Sequence, residues 1–227
     1  MLEPSATWIS TYPNAAIGVL VMRDVENPES CGPLDERKRA LEQRLREAYG
    51  DEDREAIKRL PVIEAYREYY KQFKKTYHVR HQLESVALKG EDIPRTAALV
   101  EAMFMAELEH LLLTAGHDLD HVVPPVTVSV AEGTETYTRI NGREQTLKAG
   151  DMYIADSQGV MSSIIYGPDR RTMIRPETRK VLFTTYAPAG IGETLVEQHL
   201  GAIRDYVRLI APDASVDTLQ IITAKGH

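Results

Sequence analysis

The chain has 227 residues, of which 43% are hydrophobic and 27% are charged, a composition typical of a folded globular protein. No apolar run approaches the ~20 residues that span a bilayer, so we expect a cytoplasmic protein without a membrane partner. The formal net charge of -7 argues against non-specific binding to DNA, and the single cysteine, Cys31, excludes an internal disulfide and a cysteine-based metal cluster.

The start of the chain predicts one strand and then a long helix. Residues 15–23 form an apolar run with Val and Ile, which is typical of a buried strand. Pro33 and Asp35 are residue types that favour a helix start, and the charged helix that they open extends to about Tyr49. Residues 1–90 are therefore expected to form a part of the molecule that is rich in helix.

Two further helices are predicted before residue 91. The first begins at Pro61 and the second covers residues 79–89, ending at Gly90 as helices commonly do. The first of them has apolar side chains at helical spacing, which indicates one buried face. These are Val62, Ile63, Tyr66, Tyr69, Tyr70 and Phe73.

The next helix is predicted to start at Pro94 and to stop at Gly116. Its segment Leu99–Glu109 reads LVEAMFMAELE and is mostly apolar, so it must bury at least one face. Just past the expected end lies a polar run, His117-Asp118-Leu119-Asp120-His121. We expect this run to sit at a helix terminus, where its side chains would be free to act.

From Val122 onward the pattern changes to strands. The segment VTVSVAEGTETYTRI alternates and is rich in Val and Thr, and Asn141-Gly142 is a strong signal for a two-residue hairpin turn. An amphipathic helix is predicted for residues 193–210. Additional strands are expected in the segments MYIADS, VMSSIIYG and KVLFTTYA.

This order of elements predicts an α+β fold, with a mixed or mostly antiparallel sheet flanked by helices. We expect a single domain over residues 1–227, because no tandem repeat, low-complexity tract or long linker divides the chain.

The chain also resembles the B3/B4 domain, the editing module of the bacterial phenylalanyl-tRNA synthetase beta chain, and its free-standing relatives. The resemblance is strongest over residues 60–210 and is carried by the order and spacing of short segments. It implies a B3/B4-like editing-domain fold, a pocket for an amino acid, and binding of the end of an aminoacylated tRNA. The segments are Leu99–Glu109, Asp118-Leu119-Asp120, the Asn-Gly hairpin with Leu147, Asp151–Asp156 (DMYIAD) and Glu177–Leu182 (ETRKVL).

Three positions depart from the synthetase module. A histidine of the module is replaced by Ala115, and its pocket glutamate, which recognises the tyrosine hydroxyl, by Thr184. An asparagine in the first helix of the module becomes Phe104. The resemblance therefore implies a retained scaffold with an altered pocket.

Hydrolysis of an aminoacyl ester needs a positioned water, a proton acceptor and donors for the developing oxyanion. The resembled module relies chiefly on positioning, with assistance from the tRNA ribose hydroxyl. Here His117 or Asp118 could orient the water, while the alternative is that Asp118 and Asp120 cap the next turn and His117 is a surface histidine. The substrate-binding candidates are Asp156, Ser157, Ser162, Ser163, Tyr166, Gly167 and Thr184.

The same polar run could instead hold a metal ion together with His110. Its spacing matches no zinc motif, because it contains neither H-E-x-x-H nor an H-x-H pair. The chain also lacks a G-x-S-x-G nucleophile motif and a glycine-rich phosphate loop. We therefore expect no metal and no cofactor.

Two segments could form a basic surface on this acidic chain. Arg67–Lys75 intersperses cations with aromatics, and residues 170–180 carry five cations against one acid. A solvated helix face and a charged loop are the alternative interpretation. The candidates for RNA binding are Arg170, Arg171, Arg175 and Lys180.

Two functions follow from these observations. The first is a free-standing editing-like protein that binds an amino acid or aminoacyl-tRNA and hydrolyses mischarged aminoacyl-tRNA in trans. The second is a non-catalytic protein that binds a small amino-acid-like molecule on the same scaffold. The sequence leaves open whether the protein is an enzyme, and its oligomeric state.

Overall fold

The computed structural model describes residues 2–224. Its helices are α1 (Ala6–Thr11), α2 (Gly32–Tyr49), α3 (Arg54–Lys58), α4 (Pro61–Gln72), α5 (His78–Lys89), α6 (Ala98–His110) and α7 (Glu193–Ile210). Its strands are β1 (Leu2–Pro4), β2 (Ala16–Arg23), β3 (Leu113–Asp118), β4 (Val126–Val130), β5 (Thr136–Thr138), β6 (Glu144–Thr146), β7 (Met152–Asp156), β8 (Gly159–Ser163), β9 (Gly167–Pro168), β10 (Lys180–Ala187) and β11 (Ser215–Thr223). The predicted α+β class, with sheets flanked by helices, is confirmed.

A four-stranded antiparallel sheet in the order β11–β2–β10–β3 forms one layer. β2 and β10 occupy its middle and are buried almost throughout, in keeping with their apolar sequences. Helix α7 packs directly on β2, and Gly18 permits the close approach, because a Cβ there would lie 2.7 Å from Val196 Cγ1. β3 is the edge strand of this sheet, so one of its sides faces loops and helices.

The second layer is a five-stranded mixed sheet in the order β1–β4–β7–β8–β9, in which only the β1–β4 pair is parallel. Strands β5 and β6 form a separate hairpin, as the Asn-Gly signal predicts, but five residues separate the strands instead of the two-residue turn, and of Asn141 and Gly142 only Gly142 has a positive φ, 79°. One hydrophobic core joins the helices of residues 32–89 to both sheets. None of the described helices is long and apolar enough to cross a membrane.

The helix predicted to reach Gly116 ends six residues earlier, at His110. Leu111 adopts a left-handed conformation with φ 60°, and its carbonyl accepts a hydrogen bond from the Tyr77 hydroxyl at 2.9 Å. The chain then enters β3 directly. The prediction was wrong because α6 is buried on nearly all sides, so its hydrophobic pattern carries little periodicity that could mark the end.

Strand β11 follows the last helix and was not predicted. It pairs antiparallel with β2 over nearly its full length and carries a bulge between Val216 and Thr218. Its segment SVDTLQIIT has little regular alternation between apolar and polar residues, because it is an edge strand that is only partly buried. The short elements β1, α1 and α3 were likewise not predicted.

Candidate functional site

A cavity of about 640 Å³ lies beside the edge strand β3, between helix α6 and the segment that joins β8 to β9. We call it the β3 cavity. Its volume falls within the roughly 300–1,000 Å³ that is typical of small-molecule sites. Its inner wall is mostly apolar and includes Val100, Met103, Phe104, Leu113, Ile164 and Ile174.

The wall formed by β3 is flat because the strand carries small residues there. Ala115 and Gly116 both line the cavity. A Cβ on Gly116 would lie 2.7 Å from Ile174 Cδ1, so the glycine lets the Ile174 side chain lie against the strand. The space beside Gly116 is therefore filled by Ile174, and the cavity lies next to this contact.

One carboxyl group lies in the inner wall. Glu107 of α6 is 1% exposed, and its Oε1 accepts a hydrogen bond from the Thr114 backbone N–H at 2.8 Å. Its Oε2 has no hydrogen-bond partner among the described residues. Burial raises the pKa of Glu107 to about 8, so the group is largely a neutral acid at pH 7.

The mouth of the cavity is polar and carries two cations. Lys75 is exposed, with its Nζ 5.7 Å from the centroid of the Tyr166 ring, and Arg139 precedes the turn of the β5–β6 hairpin. Next to Arg139, Ile140 is 52% exposed and also lines the opening. A cationic rim around an apolar interior can hold an anionic or phosphorylated end outside and an apolar group inside.

Three of the predicted substrate-binding residues line this cavity: Ser163, Tyr166 and Gly167. The Ser163 Oγ accepts a hydrogen bond from the Tyr166 backbone N–H at 3.1 Å. Ser162 lies behind the wall, where its hydroxyl is 2.8 Å from the hydroxyl of Tyr186, itself a lining residue. The strand β8 and the turn after it thus place the buried Ser163 hydroxyl in the cavity wall and that of Ser162 behind it.

Thr184, another candidate, lies directly opposite Ala115 in the β10–β3 register. Its side chain is fully buried. Two of the positions that depart from the synthetase pattern are therefore cross-strand partners, and the third, Phe104, lines the same cavity. All three substitutions fall on or directly behind one wall.

Asp156 and Ser157 do not contribute to the β3 cavity, contrary to the expectation. The Asp156 carboxylate is paired with Arg171 by two hydrogen bonds of 2.9 and 2.8 Å, and it also accepts the Val123 backbone N–H. These contacts hold its pKa below the usual range despite burial. Ser157 is exposed at the turn between β7 and β8.

His117 and Asp118 lie within β3 and not at a helix terminus, and both are buried. The His117 Nδ1 is 2.8 Å from the Thr172 hydroxyl, and burial lowers the pKa of His117 to about 3, so the ring is neutral. Asp118 accepts hydrogen bonds from the Asp120 backbone N–H and the Thr178 hydroxyl. Asp118 thus caps the next turn, and neither residue is among those that line the cavity in the described chain.

The alternative interpretation of His117 as a surface histidine is therefore wrong, while the predicted capping role of Asp118 is confirmed. Together with the Asp156–Arg171 pair and the loop of residues 169–178, these side chains form what we call the polar cluster. Over residues 2–224, no three His, Cys, Asp or Glu side chains converge as a metal site would require.

The four candidates for RNA binding differ in how far their side chains are already engaged by other protein groups. Arg171 is held by Asp156 and by the His121 carbonyl, and Arg175 donates to three backbone carbonyls of its own loop. Lys180 pairs with Asp120 at 2.9 Å on the surface. Arg170 is exposed and points toward the hairpin turn, with its Nη1 near Gly142.

Sequence reasoning missed Glu107 and Arg139 as parts of a site, and it included Lys75 only within the basic segment Arg67–Lys75. Glu107 had a usable signal, because it is a carboxylate four residues after Met103 on a face expected to be buried. Arg139 had none, since only the fold brings the β5–β6 hairpin next to Lys75.

Comparison with known proteins links the chain to one group. A family model described as the B3/4 domain matches residues 62–212. The phenylalanine–tRNA ligase beta subunit of Mycoplasma pneumoniae is 27% identical over 106 residues, which are 46% of this chain and 13% of that protein. The corresponding subunit of Mycoplasma genitalium is 25% identical over 67 residues, which are 30% of this chain and 8% of that protein.

Among solved structures, the chain is similar to an N-terminal fragment of the phenylalanyl-tRNA synthetase beta-subunit from Pyrococcus horikoshii. The TM-score is 0.53 at 12% sequence identity, over 97% of this chain and 53% of the fragment. At that identity the likeness concerns the fold alone. The resemblance drawn from the sequence, and the B3/B4-like fold that it implies, are confirmed.

Proposed function

This chain belongs to the B3/4 domain family, and on that premise we propose that its β3 cavity binds the amino-acid end of an aminoacyl-tRNA and supports hydrolysis of a mischarged ester in trans. The observation that carries the proposal is the cavity itself: an apolar interior that opens between Lys75 and Arg139. An amino-acid side chain suits the interior, and the phosphates of a tRNA end suit the rim.

The proposed hydrolysis depends on positioning more than on a nucleophile. An ester held at the mouth would lie near the Ser163 hydroxyl and the turn at Gly167, whose φ is 77°. Backbone N–H groups and a hydroxyl there are suitable donors to the oxyanion that forms when water attacks. Water adds to the ester carbonyl, the bond from the carbonyl carbon to the ribose oxygen breaks, and a proton of the attacking water passes to that leaving oxygen. His117 and Asp118 take no part in this scheme, because both lie in the polar cluster.

Nucleic acid would be held by the hairpin side of the mouth. Arg139 and Ile140 stand at the opening, and Arg143 and Arg170 are exposed nearby. Cations next to an exposed apolar side chain suit the phosphates and bases of a single-stranded end. We propose this surface in preference to Arg171 and Arg175, because those two guanidinium groups already donate to protein oxygens.

A second candidate function is binding of a small amino-acid-like molecule without hydrolysis. It is favoured by Ala115 and Thr184, which replace two polar residues of the resembled module on one wall. It needs the same cavity but neither the rim cations nor the donors at Ser163.

The test is hydrolysis of a panel of mischarged aminoacyl-tRNAs, with thermal stabilisation by free amino acids measured in parallel. We expect one or a few esters to be lost at enzyme-dependent rates. Val100→Phe, which fills the cavity from α6, should reduce hydrolysis and stabilisation at least tenfold. The matched control is Val123→Phe at an exposed position outside the cavity, which should change neither.

Stabilisation by an amino acid without loss of any ester would favour the second candidate. Full activity of Val100→Phe would contradict both candidates, because each places the ligand in the β3 cavity. Loss of hydrolysis in His117→Gln with unchanged thermal stability would restore the catalytic role predicted for that residue.

A further inference from the structure

Glu107 carries a buried oxygen that the protein itself leaves without a partner. Five buried side-chain atoms in the described residues share this property, on Glu107, His110, His117, Asp151 and His199. Of these residues, only Glu107 is among those that line the β3 cavity. A polar atom left unpaired in a wall that is mostly apolar points to a ligand group that completes its hydrogen bonding.

The neighbouring tyrosines do not supply the missing partner. The hydroxyls of Tyr66, Tyr70 and Tyr77 donate to the carbonyls of Tyr186, Ile164 and Leu111. The Tyr186 hydroxyl is engaged with Ser162. Each of these groups is directed to backbone or serine, so Oε2 of Glu107 is left without a partner, buried in the wall of the cavity.

The two oxygens of Glu107 have different roles. Oε1 already accepts the Thr114 N–H and so acts as the carbonyl oxygen, with one acceptor site left. No Lys or Arg forms an ion pair with this carboxyl within the described residues, and burial raises its pKa. The acid proton therefore resides on Oε2 near neutral pH, and the group offers one donor and one acceptor side by side.

We propose that Glu107 is a specificity-determining residue and that the β3 cavity selects an amino-acid ligand whose side chain ends in a carboxamide. A carboxamide presents a carbonyl to the Oε2 donor and an N–H to the remaining acceptor site of Oε1, so both groups are paired at once. This inference rests on the proposed function for the location of the ligand. The inference goes beyond the proposed function because it names the class of ligand.

Other side-chain ends fit less well. An apolar end of the same size leaves the acid proton of Glu107 unpaired in the complex, and a site built to hydrogen-bond rejects such analogues strongly. A carboxylate end would meet an acid with no cation beside it. An ammonium end would require Glu107 to ionise in an apolar wall, where charge is disfavoured. A hydroxyl end satisfies only one of the two sites.

The experiment compares matched free amino acids by calorimetry at pH 7, with L-glutamine against L-methionine and L-asparagine against L-leucine. We expect the better carboxamide to bind at least about tenfold more tightly than its apolar partner. Glu107→Leu should abolish or reverse that ratio. Glu107→Gln, which keeps a donor and an acceptor, should keep it within about threefold.

A matched control is Glu109→Gln on the same helix, because Glu109 pairs with Arg44 and Tyr206 outside the cavity and should not affect the ratio. If Glu107→Leu does not fold, the wild-type ratios and Glu107→Gln still decide. Equal ratios in wild type and Glu107→Leu would overturn the inference. So would preference for L-lysine, L-glutamate or L-tyrosine, or no binding of any probe at millimolar concentration.

The two proposals fail in distinguishable ways. Carboxamide preference without deacylation or binding of any tRNA would remove the tRNA function and leave the role of Glu107 intact. Deacylation that proceeds equally with carboxamide and apolar aminoacyl groups, in both wild type and Glu107→Gln, would support the proposed function and remove the role of Glu107.

Discussion

The two ends of strand β3 face different surroundings although they are only a few residues apart. Leu113–Gly116 border a cavity with apolar walls and one unpaired acid. His117 and Asp118 enter the polar cluster, in which both residues are hydrogen-bonded to threonines of the 169–178 loop. One end opens to a cavity, while the other packs against the 169–178 loop, where only the Nε2 of His117 lacks a partner among these side chains in the described residues.

This difference shows that a concentration of polar residues in the sequence does not by itself mark a functional site. His117, Asp118, Asp156 and Arg171 attract attention in the sequence because they could do chemistry. In the fold Asp156 and Arg171 pair with each other, and His117 and Asp118 are hydrogen-bonded to threonine hydroxyls, although His117 Nε2 has no partner among the described residues. The proposed site is instead where an unpaired buried atom belongs to a residue that lines a cavity.

The largest effect on stability should come from disrupting the polar cluster at the end of β3. Arg171→Leu leaves the Asp156 carboxylate, whose side chain is fully buried, without its ion-pair partner. Loss of one partner of a buried pair costs about 3 kcal/mol of the free energy of unfolding. For a domain of this size the melting temperature should fall by roughly 6–12 °C.

Calorimetry measures this shift, and Arg170→Leu at the exposed neighbouring position is the control, with little expected change. Ligand binding in the β3 cavity should survive Arg171→Leu below its melting temperature. If the Arg171→Leu protein is as stable as wild type but does not bind RNA, Arg171 contacts RNA as the sequence predicts. That result would contradict the structural role of Arg171 in the polar cluster.

The second effect is a pH dependence of the free energy of unfolding that arises from Glu107 at the cavity end of β3. The pKa of Glu107 is raised to about 8, so the folded state holds a proton that the unfolded state releases near its ordinary value of 4.5. Stability from this group is complete below pH 4.5 and is lost as the pH rises through 8. The free energy of unfolding of wild type relative to Glu107→Gln should fall by about 2 kcal/mol from pH 5 to about 6.5, which is about 1.4 kcal/mol per pH unit.

The groups facing Glu107 do not reverse this sign. Tyr66, Tyr70 and Tyr77 have pKa values raised by burial above their usual 10, and His199, which contacts Thr114, has its pKa lowered to about 3. All of them are present in both proteins, so the difference isolates Glu107. Denaturation at several pH values measures the difference in the free energy of unfolding between wild type and Glu107→Gln. If wild type gains stability relative to the variant as the pH rises, Glu107 is not a neutral acid in the folded protein.

A smaller effect should follow from altering the flat part of β3. Gly116→Ala places a methyl group 2.7 Å from the end of Ile174 and 3.3 Å from the Phe183 ring. Because the Ile174 side chain can move, we expect a loss of about 1 kcal/mol and displacement of Ile174 into the cavity, with weaker ligand binding. Gly192→Ala is the control, since a Cβ there meets nothing within 4 Å. Unchanged ligand affinity in Gly116→Ala would count against this wall.

The smallest effect concerns the rim. Arg139→Ala and Arg143→Ala should each weaken tRNA binding a few-fold and reduce the slope of log affinity against log salt by about 1. Lys180→Ala should leave the slope nearly unchanged, because Lys180 pairs with Asp120. Filter binding over a range of salt concentrations measures the slopes. If Lys180→Ala reduced the slope more than Arg139→Ala and Arg143→Ala, the RNA-binding surface would instead lie on the 170–180 loop.

Much of the fold was predictable from local patterns. The strand at 15–23, the helices beginning at Pro61 and at Glu193, and the Asn-Gly hairpin all carry periodicity or turn residues that act locally. The end of α6 was not predictable, because a helix buried on nearly all sides has no polar face to mark its length. β11 was missed for a related reason, as a partly buried edge strand alternates weakly.

The site was less predictable than the fold. Ser163, Tyr166 and Gly167 were proposed because they lie in the predicted strand and turn that follow Asp156, and these three residues line the cavity. The opposite wall comes from α6 and the rim from Lys75 and Arg139, and these meet only through long-range packing. Whether a polar side chain such as His117 is free or paired is likewise decided by residues distant in sequence, here by Thr172.

The most direct test is a crystal structure of the protein with the amino acid that stabilises it most. We predict that the ligand occupies the β3 cavity between Phe104 and Ser163, with its side-chain end within hydrogen-bond distance of Glu107 Oε2. A ligand bound against His117 and Asp118, or in the surface groove between α2 and α7, would contradict the assignment of the site to the open end of β3.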